Sequence, residues 1–446
     1  MSELFRCSGK VRAADSKTYR SFRFRVPEGV TELQVTFTYE QGQTSPHNLI
    51  VLALNDPHGF RGIAHRFATR QVIRLGAQSA TPGFGPGAIP AGEWSIQLNM
   101  FWIVPAVDAR PWTYSILVEA HEPAPVSHKV SRTAQSGCWY KGDLHAHTNH
   151  SDGHWSLQEL AESARTYGLD FIALTDHNTI TGLPEIAEAS GDDLLIIPGM
   201  EVTTFNGHAV SLGTDRWIDW RAGHNERTMN TIAEQVRTAG GVFVVVHPDA
   251  PHDPVCTGCR WVYPNFDPNL ANAVQVWGGS YWNHPDEHNS GCLQFWKDWL
   301  NLGYRLTAVG GTDTHGPDGW GENSGWTYVW AEELSVQAIL AGIRAGRTYV
   351  SSGPQLNLQA QQQELPQNGC QTVRAAWSAC PEAELRIIVN GEPRQTERVA
   401  DRGEVEFTLQ TADSWCCAEL WDWRGETLLA VTSPVYFDAN DRQANL

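Results

Sequence analysis

Histidine and acidic side chains gather in short segments of the chain whose composition suits metal binding. The segments are GDLHAHTNHSDG (142–153), ALTDHNT (173–179), IPGMEVTTFNGHAV (197–210), VVVHPDAP (244–251) and VGGTDTHG (309–316). Imidazole nitrogens together with carboxylate oxygens suit zinc, manganese or iron. The candidate metal ligands are His145, His147, Asp152, His177, Glu201, His208, His247, Asp313 and His315.

Spacing within two of these segments strengthens the prediction. On a strand, residues two apart point to the same side, so His145 would lie beside His147 and Asp313 beside His315. The competing interpretation is a set of hydrogen-bonded core residues. Burying at least three carboxylates without cations would cost on the order of several kcal/mol per ion, which favours divalent metals.

The elements that must position these side chains follow a strand and helix rhythm that begins near residue 138. Ser156 and Glu159 form a capping-box signal, and Gly168 supplies a stop after an apolar stripe of helical period. Since all strands of a parallel barrel end on one face, the acidic and histidine segments would meet there. The predicted strands are 171–174, 194–197, 242–246, 273–277 and 306–309, and the predicted helices lie near 230–238, 293–302 and 335–345.

The flanking regions have a different pattern. Residues 1–120 alternate apolar and polar side chains, as in Leu33, Val35, Phe37 and Tyr39, which predicts a β-sandwich. Residues 121–137 are interpreted as a linker and residues 138–353 as the α/β barrel. Alternation returns in residues 354–446, where Asn390-Gly391 predicts a hairpin turn in a small C-terminal β domain.

The acidic and histidine segments resemble the motifs of the PHP (polymerase and histidinol phosphatase) superfamily of metallohydrolases, and in particular its CehA/McbA branch, which includes carbaryl hydrolases. The resemblance implies a distorted (βα)7 barrel with metals at the strand ends, and Glu201, Asp313 and His247 at the centre of catalysis. It assigns His145, His147, Glu201 and Asp313 to a first metal, Glu201, His208 and His247 to a second, and Asp152, His177 and His315 to a third.

Several neighbouring residues receive other interpretations. His150 and His154 do not match ligand positions, and Asp176 and Asn178 are expected to orient ligands or fix loops. Cys256 and Cys259 have the spacing of half a zinc site, but a structural loop is favoured. The nine cysteines are expected to be reduced thiols. Aromatic residues of RWIDWR (216–221), together with Trp261, Trp277 and Trp282, are candidates for a pocket lining or for core packing.

Composition narrows the substrate class. A formal net charge of -18 argues against an extended nucleic-acid surface, so a small molecule or a short single-stranded end is expected. The first residues lack the apolar segment of a secretory signal and no apolar run could cross a membrane, which predicts a cytoplasmic protein. Oligomeric state is not predicted.

Three functions follow from these observations. The first is phosphoester hydrolysis by a hydroxide bridging two of two or three divalent ions (Mn, Fe or Zn), with Arg221, Arg260 or Arg347 binding phosphate. The second is hydrolysis of a carbamate, ester or amide. The third, a non-catalytic metal-binding protein, is disfavoured because the ligand set is intact.

Overall fold

The structure is a computed structural model that describes residues 2–42, 45–65, 68–121, 137–191, 193–251, 258–284, 288–360, 371–410 and 413–437. The predicted linker, apart from its two end residues, and Cys256 lie outside these ranges. No helix in the described part of the chain combines the length and apolar character needed to cross a bilayer.

The N-terminal region consists of two antiparallel sheets of four strands each, in the orders β1-β8-β3-β6 and β2-β7-β4-β5. Leu33, Val35 and Phe37 on β3 are fully buried in a hydrophobic cluster shared by both sheets, which confirms the predicted alternation. The strands are β1 (Ser2–Val11), β2 (Thr18–Val26), β3 (Glu32–Tyr39), β4 (Leu49–Asp56), β5 (Gly59–Ala64), β6 (Arg70–Gly76), β7 (Gly92–Trp102) and β8 (Trp112–His121).

The central region alternates strands with helices, as predicted. Its strands are β9 (Cys138–Asp143), β10 (Phe171–Leu174), β11 (Leu195–Thr203), β12 (His208–Leu212), β13 (Val242–Val246), β14 (Ala273–Trp277), β15 (Thr307–Gly310), β16 (Trp326–Ala331) and β17 (Thr348–Ser351). Its helices are α1 (Leu157–Thr166), α2 (Ile186–Ala189), α3 (Met229–Thr238), α4 (Asn289–Asn301) and α5 (Val336–Arg344). Short 3-10 turns occupy Ala13–Asp15, Leu183–Glu185, Pro268–Leu270 and Pro317–Gly319.

Local sequence explains where these helices begin. At α1 the Ser156 hydroxyl accepts from the backbone of Glu159, and the Glu159 carboxylate accepts from the backbone of Ser156 at 2.7 Å, which confirms the predicted capping box. Thr228 and Ser335 cap α3 and α5 in a similar way. The helices bury their apolar faces while the polar faces stay exposed.

The central sheet is mixed rather than largely parallel. Strands β9, β10 and β11 are parallel, as are β13, β14 and β15, but β12 runs antiparallel between β11 and β13. Only residues 204–207 connect β11 to β12, and Gly207 has a φ of +141°. Because so short a connection allows only a hairpin, β12 must reverse direction.

The sheet curves until β15 lies against β16 and β17. The backbone N–H of Gly310 donates to Thr327 Oγ1 at 2.7 Å, and Thr348 Oγ1 donates to the carbonyl of Ala308 at 2.8 Å. These contacts between β15 and its neighbours use side-chain hydroxyls. A mixed α/β fold with a large sheet is confirmed, whereas the predicted barrel of seven βα units remains a proposal.

The C-terminal strands continue this sheet, because β22 pairs with β17. Asn390 and Gly391 both have positive φ and connect β19 to β20, which confirms the predicted hairpin. The boundaries proposed at residues 120, 137 and 353 remain proposals. The strands are β18 (Gln355–Ala360), β19 (Gln371–Val389), β20 (Glu392–Leu409), β21 (Trp415–Asp422), β22 (Leu428–Thr432) and β23 (Val435–Tyr436).

Candidate metal centre

The structure brings all nine candidate ligands together. They form three overlapping groups, and within each group the potential ligand atoms lie within 4.8 Å of one another. Two groups coincide with the sets expected for the first and second metals, and the third contains its expected members and also His147. The groups are His145, His147, Glu201 and Asp313; Glu201, His208 and His247; and His147, Asp152, His177 and His315.

Strand ends position these residues on one edge of the sheet. His247 directly follows β13, whereas Asp313 and His315 follow β15. His208 is the first residue of β12, and since that strand is antiparallel, its start lies at the same edge as the ends of its parallel neighbours. The reversal of β12 therefore places His208 opposite Thr203, two residues from Glu201 on β11.

Glu201 is the fully buried centre of the site. Its Oε1 lies 3.0 Å from His208 Nδ1 and 3.4 Å from His247 Nε2. Its Oε2 lies 2.6 Å from His177 Nδ1 and 3.5 Å from the Nε2 atoms of both His145 and His147. Burial opposes its ionisation, but the surrounding imidazoles, His177 foremost, hold the pKa of Glu201 well below its usual range. One carboxylate therefore connects two of the three groups.

Hydrogen bonds fix the orientation of two of the imidazoles. His145 Nδ1 lies 3.0 Å from Gln275 Oε1, and the amide of Gln275 donates to the carbonyl of Gly311 at 2.9 Å. His315 Nδ1 donates to the backbone carbonyl of Asp313 at 2.7 Å. With Nδ1 as the donor, each ring keeps the lone pair of Nε2 for a metal.

Backbone strain marks two of the ligand positions. Asp313 has a φ of +55° and His247 a φ of +31°, in the region that residues with a Cβ rarely adopt. Such conformations cost about 1–3 kcal/mol each and persist where surrounding structure or function requires them. Both occur in loops that turn a carboxylate or an imidazole into the centre.

Unsatisfied buried atoms test whether metals fit these residues. Buried polar atoms nearly always have a hydrogen-bond partner, so an accumulation of exceptions needs an explanation. Divalent cations would supply the missing partners, and the mixed nitrogen and oxygen donors suit them. The buried atoms without a hydrogen-bond partner include His145 Nε2, His208 Nε2 and His247 Nδ1.

Neighbouring charges and burial strongly shift the pKa values of the candidate ligands. Although burial opposes protonation, nearby carboxylates raise the pKa of His145 to about 10 and that of His315 to about 9. The pKa of His177 is also raised, against burial, by Asp152 and Glu201. Burial and neighbouring imidazoles instead lower the pKa of His147 to about 4. Metal binding to the histidines whose pKa values are raised must therefore displace protons.

Asp143 is a functional residue that the sequence analysis missed. Its buried carboxylate accepts from the backbone N–H groups of His145 and Thr312, both at 3.0 Å. It also accepts from Thr312 Oγ1 at 2.5 Å and from Trp320 Nε1 at 2.7 Å. Asp143 thereby joins the loop that carries His145 to the loop that carries Asp313. Its position two residues before His145 was the available signal.

Asp176 has the loop-fixing role that was expected. Its carboxylate accepts from the backbone N–H and hydroxyl of Thr148, at 2.8 and 2.7 Å, and from the hydroxyl of Ser151 at 2.6 Å. Ser151 immediately precedes Asp152. Asn178 exchanges two hydrogen bonds with the backbone of Thr203, each 2.9 Å long. These contacts order the segments on either side of His177.

A cavity of about 610 Å³ opens onto the centre and receives one wall from the N-terminal region. Leu49, His65, Phe101 and Trp102 line this wall, opposite ligands that include Asp152 and Asp313. The imidazole of His65 stacks on that of His177 with ring centroids 4.3 Å apart. The sequence gave no indication of this contact, which depends on the packing of distant segments.

The predicted phosphate-binding arginines lie elsewhere. Arg221 forms two 2.7 Å hydrogen bonds with Asp219, and Arg260 pairs with Asp249. Arg347 lies over the ring of Trp330, 5.0 Å from its centroid. None of the three lines the described part of the cavity. Internal partners hold two of these arginines and the third packs on Trp330, so their binding of substrate stays a prediction.

The predictions for several other side chains agree only in part with the structure. His150 and His154 belong to none of the ligand groups found among the described residues, as expected. His150 is held by Glu185 at 2.8 Å. Cys259 is disulfide-bonded, contrary to the expectation of reduced thiols, and lies at the cavity. Trp261, Trp277 and Trp282 pack in the hydrophobic core, and Trp217 stacks on Phe60. The free cysteines of the described residues are Cys7, Cys138, Cys292, Cys380, Cys416 and Cys417.

Comparisons with known proteins find relatives of parts of this chain. An uncharacterized protein of Methanocaldococcus jannaschii is 29% identical over 128 residues, which cover 26% of this chain and 70% of the relative. A 5'-3' exoribonuclease of Haemophilus influenzae is 38% identical over 81 residues, 17% of this chain. The chain spans only 30% of the length of that exoribonuclease.

Two solved structures overlap more broadly but weakly. A two-domain protein of Bacteroides vulgatus, described as containing a predicted PHP-like metal-dependent phosphoesterase, has 16% identity and a TM-score of 0.40, covering 70% of this chain and 100% of that one. An amidohydrolase of Chromobacterium violaceum has 16% identity and a TM-score of 0.29, covering 40% and 88%. Overlaps of this size do not establish function.

A family model agrees with the position of the ligand segments. The model of the PHP domain matches residues 143–239, a range that begins at Asp143 and contains six of the nine candidate ligands. The remaining three, His247, Asp313 and His315, lie beyond the match but within the same cluster in space. Residues 143–239 of this chain thus match a PHP domain, and this finding supports its membership of the PHP superfamily.

Proposed function

We propose that this protein is a metal-dependent phosphoesterase that acts on a small substrate, and that it belongs to the CehA/McbA-like branch of the superfamily. The observation that carries the proposal is the position of Glu201. This fully buried carboxylate belongs to two groups of potential ligands. A shared carboxylate holds two cations close together.

The candidate ligands would bind three ions as follows. His145, His147, Glu201 and Asp313 would hold a first ion; the second would use Glu201 with His208 and His247, and the third Asp152 with His177 and His315. Bound Mn, Fe or Zn ions supply Lewis acidity, which lowers the pKa of water and offsets negative charge on a phosphoryl group. The chain itself contributes orientation, because Gln275 and the carbonyl of Asp313 fix two imidazoles, and Asp143 fixes two loops.

Phosphoesters suit this centre better than neutral substrates do. Their anionic oxygens offer partners to a third cation, and the described lining of the cavity contains no arginine or lysine that could take that place. The names of the exoribonuclease relatives agree with phosphodiester chemistry. The net charge of -18 still disfavours an extended nucleic-acid surface, so a small phosphoester or a short nucleotide end is the proposed substrate.

Hydrolysis of a carbamate or carboxyl ester is the second candidate. The observation that favours it is the apolar side of the cavity, where Leu49, Phe101 and Trp102 could accept an apolar leaving group. A neutral carbonyl substrate leaves the third group of ligands without an anionic oxygen to bind. This mismatch places carbamate hydrolysis second.

A rate comparison on one protein preparation separates these candidates. The protein would be loaded with Mn, Fe or Zn and supplied with p-nitrophenyl phosphate, bis(p-nitrophenyl) phosphate and 1-naphthyl N-methylcarbamate. We expect kcat/KM for at least one phosphate ester to exceed that for the carbamate by about tenfold or more, a difference of about 1.4 kcal/mol. Faster carbamate hydrolysis with every metal would reverse the order, and no hydrolysis of any of the three would reject both candidates.

A further inference from the structure

The cavity at the metal centre has two sides of different chemistry. One side carries the imidazoles and carboxylates of the ligand groups. The other side is lined by residues 41, 45–49, 65, 101 and 102, and its apolar and aromatic part, Leu49, His65, Phe101 and Trp102, is what we call the N-terminal wall. At about 610 Å³ the cavity lies within the range of about 300–1,000 Å³ that accommodates small organic ligands. It therefore has room for more than a phosphoryl group.

Packing holds the N-terminal wall against the metal centre. The ring of His65 stacks on His177 at 4.3 Å and meets the edge of Phe101 at 5.4 Å and 81°. Phe101 in turn contacts Phe205, which follows β11, with ring centroids 4.9 Å apart. This chain of aromatic contacts runs from the N-terminal sheets to the central region. The wall is therefore preorganised rather than dependent on a bound molecule.

Two polar atoms of the N-terminal wall lack partners. Trp102 Nε1 and His65 Nδ1 are buried without a hydrogen bond, and His65 as a whole is only 4% exposed. The indole N–H can only donate. Leaving such a group unpaired is costly, so a ligand acceptor that reaches the indole N–H would be stabilised there.

The charges around the cavity define the ligand further. Its described lining includes no lysine or arginine, and its carboxylates, Asp152 and Asp313, belong to the ligand groups. Apart from the imidazoles of His47 and His154, the described lining therefore offers no cation outside the ligand groups to a charged organic group. Three of the four side chains of the wall are aromatic rings, which favour stacking with a flat ring.

We propose that the N-terminal wall binds the organic group of the substrate, a neutral flat aromatic ring with a hydrogen-bond acceptor directed at Trp102. This inference rests on the proposed phosphoesterase function and names its substrate class. An aryl leaving group and a nucleobase share this chemistry. The wall then sets specificity, while the metal centre handles the phosphoryl group.

Selectivity ratios test the proposal in the full-length, metal-loaded protein. One pair of substrates is 1-naphthyl phosphate and methyl phosphate, and the other is adenosine 5'-monophosphate and ribose 5-phosphate. In Trp102→Leu we expect the kcat/KM ratio of the aromatic to the non-aromatic member to fall about tenfold or more in at least one pair, the scale of losing an aromatic anchor. The substrate pair whose ratio falls shows whether the wall binds an aryl leaving group or a nucleobase.

Two further variants make the result specific. Trp423→Leu is the matched control, because Trp423 is 52% exposed and lies outside the described cavity lining, and it should leave both ratios unchanged. Trp102→Phe keeps a ring but removes the N–H, so it should reduce the ratios less than Trp102→Leu. It also serves as the test if Trp102→Leu does not fold, since any fall in its ratios then supports the wall.

Binding of 1-naphthol, measured by calorimetry, separates this inference from the proposed function. If the protein hydrolyses none of the phosphates but binds 1-naphthol at least tenfold more tightly than Trp102→Leu or Trp102→Phe does, the wall binds aromatic rings and the phosphoesterase proposal fails. If both ratios and 1-naphthol binding are the same in the wild type and the Trp102 variants, the N-terminal wall has no such role. Absence of 1-naphthol binding and of any aromatic preference in the wild type would also overturn it.

Discussion

The imidazole rings of His65 and His177 lie face to face, with centroids 4.3 Å apart and ring planes inclined by 28°. His65 follows β5 of the N-terminal sheets, and His177 follows β10 of the central sheet. The N-terminal region therefore borders the candidate metal centre directly. It contributes no member to the ligand groups of the described residues, yet it forms one side of the cavity.

Metal removal should abolish activity and destabilise the protein. Because a native ligand cluster binds cations and the unfolded chain scarcely does, metal at 100 times its Kd adds about 2.7 kcal/mol to the free energy of unfolding. We expect elemental analysis to give at least two metal equivalents per chain, and calorimetry to show a lower Tm after chelation. Full turnover by a metal-free preparation would contradict the whole interpretation of the site.

Glu201→Gln should lower turnover about 10²-fold or more, because it removes the carboxylate shared by two ligand groups. The metal content should fall while circular dichroism remains that of the wild type. Glu162→Gln is the matched control, since Glu162 is an exposed residue on α1. Equal metal content in the two variants would show that Glu201 does not hold metal.

The pH dependence of metal-free stability should be opposite to that of metal binding. The folded-state pKa values of His145 and His315, about 10 and about 9, are raised above the ordinary value of 6.5. A group with a raised pKa stabilises the fold fully below its unfolded pKa, and this contribution is lost as pH rises through the folded value. The Tm of metal-free protein should therefore decrease between pH 6.5 and 10.

Metal affinity should instead increase as pH rises from about 6.5, because the ligands must lose their protons. Calorimetric titration with manganese in buffers of different ionisation enthalpy should detect proton release at pH 7.5. His58→Gln offers a control, since His58 is exposed and belongs to no ligand group of the described residues, so no proton should be displaced from it. Metal binding without proton release would show that the carboxylates do not raise the pKa values of these histidines.

The third ligand group should separate the two candidate chemistries. Asp152→Asn or His315→Ala should reduce phosphoesterase turnover about 10²-fold or more, the scale of losing one stabiliser of transition-state charge. Carbamate or carboxyl-ester hydrolysis should decrease less, since the first two groups stay intact. The same loss for both activities, or only two ions in crystals grown with excess manganese, would make the third position structural.

Asp143→Asn should weaken both stability and catalysis without removing a ligand. The side-chain NH2 group of this variant would face donors that now bond to the Asp143 carboxylate, and an NH2 group cannot accept from them. Buried N–H groups would therefore be left unsatisfied, at a cost of about 1–3 kcal/mol. Chemical denaturation should report the lower free energy of unfolding. Thr312→Ser is the matched control, since it keeps the hydroxyl that donates to Asp143 and should behave as the wild type. If Asp143→Asn left the free energy of unfolding unchanged, Asp143 would have no positioning role.

The ligand cluster could be anticipated because its information is local. Most candidate ligands directly follow or belong to a short strand, and the strand ends of such a sheet share one edge. The capping box at Ser156 and the Asn390-Gly391 turn are likewise encoded within a few residues. The predicted strand 171–174 matches the observed Phe171–Leu174, whereas the strand predicted at 194–197 extends to Thr203.

What the sequence did not reveal depends on packing between distant segments. The partners of Arg221 and Arg260 show this: a basic side chain near a motif suggests phosphate binding until Asp219 and Asp249 are seen to hold it. His65 has no motif, and only the docking of the N-terminal sheets brings it to His177. The reversal of β12 could have been inferred from its short connection to β11.

The pairing of β17 with β22 determines what the central region would be without its C-terminal strands. Tyr349, Val350 and Ser351 lie opposite Thr432, Val431 and Ala430 in that ladder. Removing the later strands would expose one side of β17, with its unpaired N–H and carbonyl groups, as a template for other chains. The C-terminal strands thus cover this side of β17, and we expect a fragment that ends near residue 353 to be prone to aggregation.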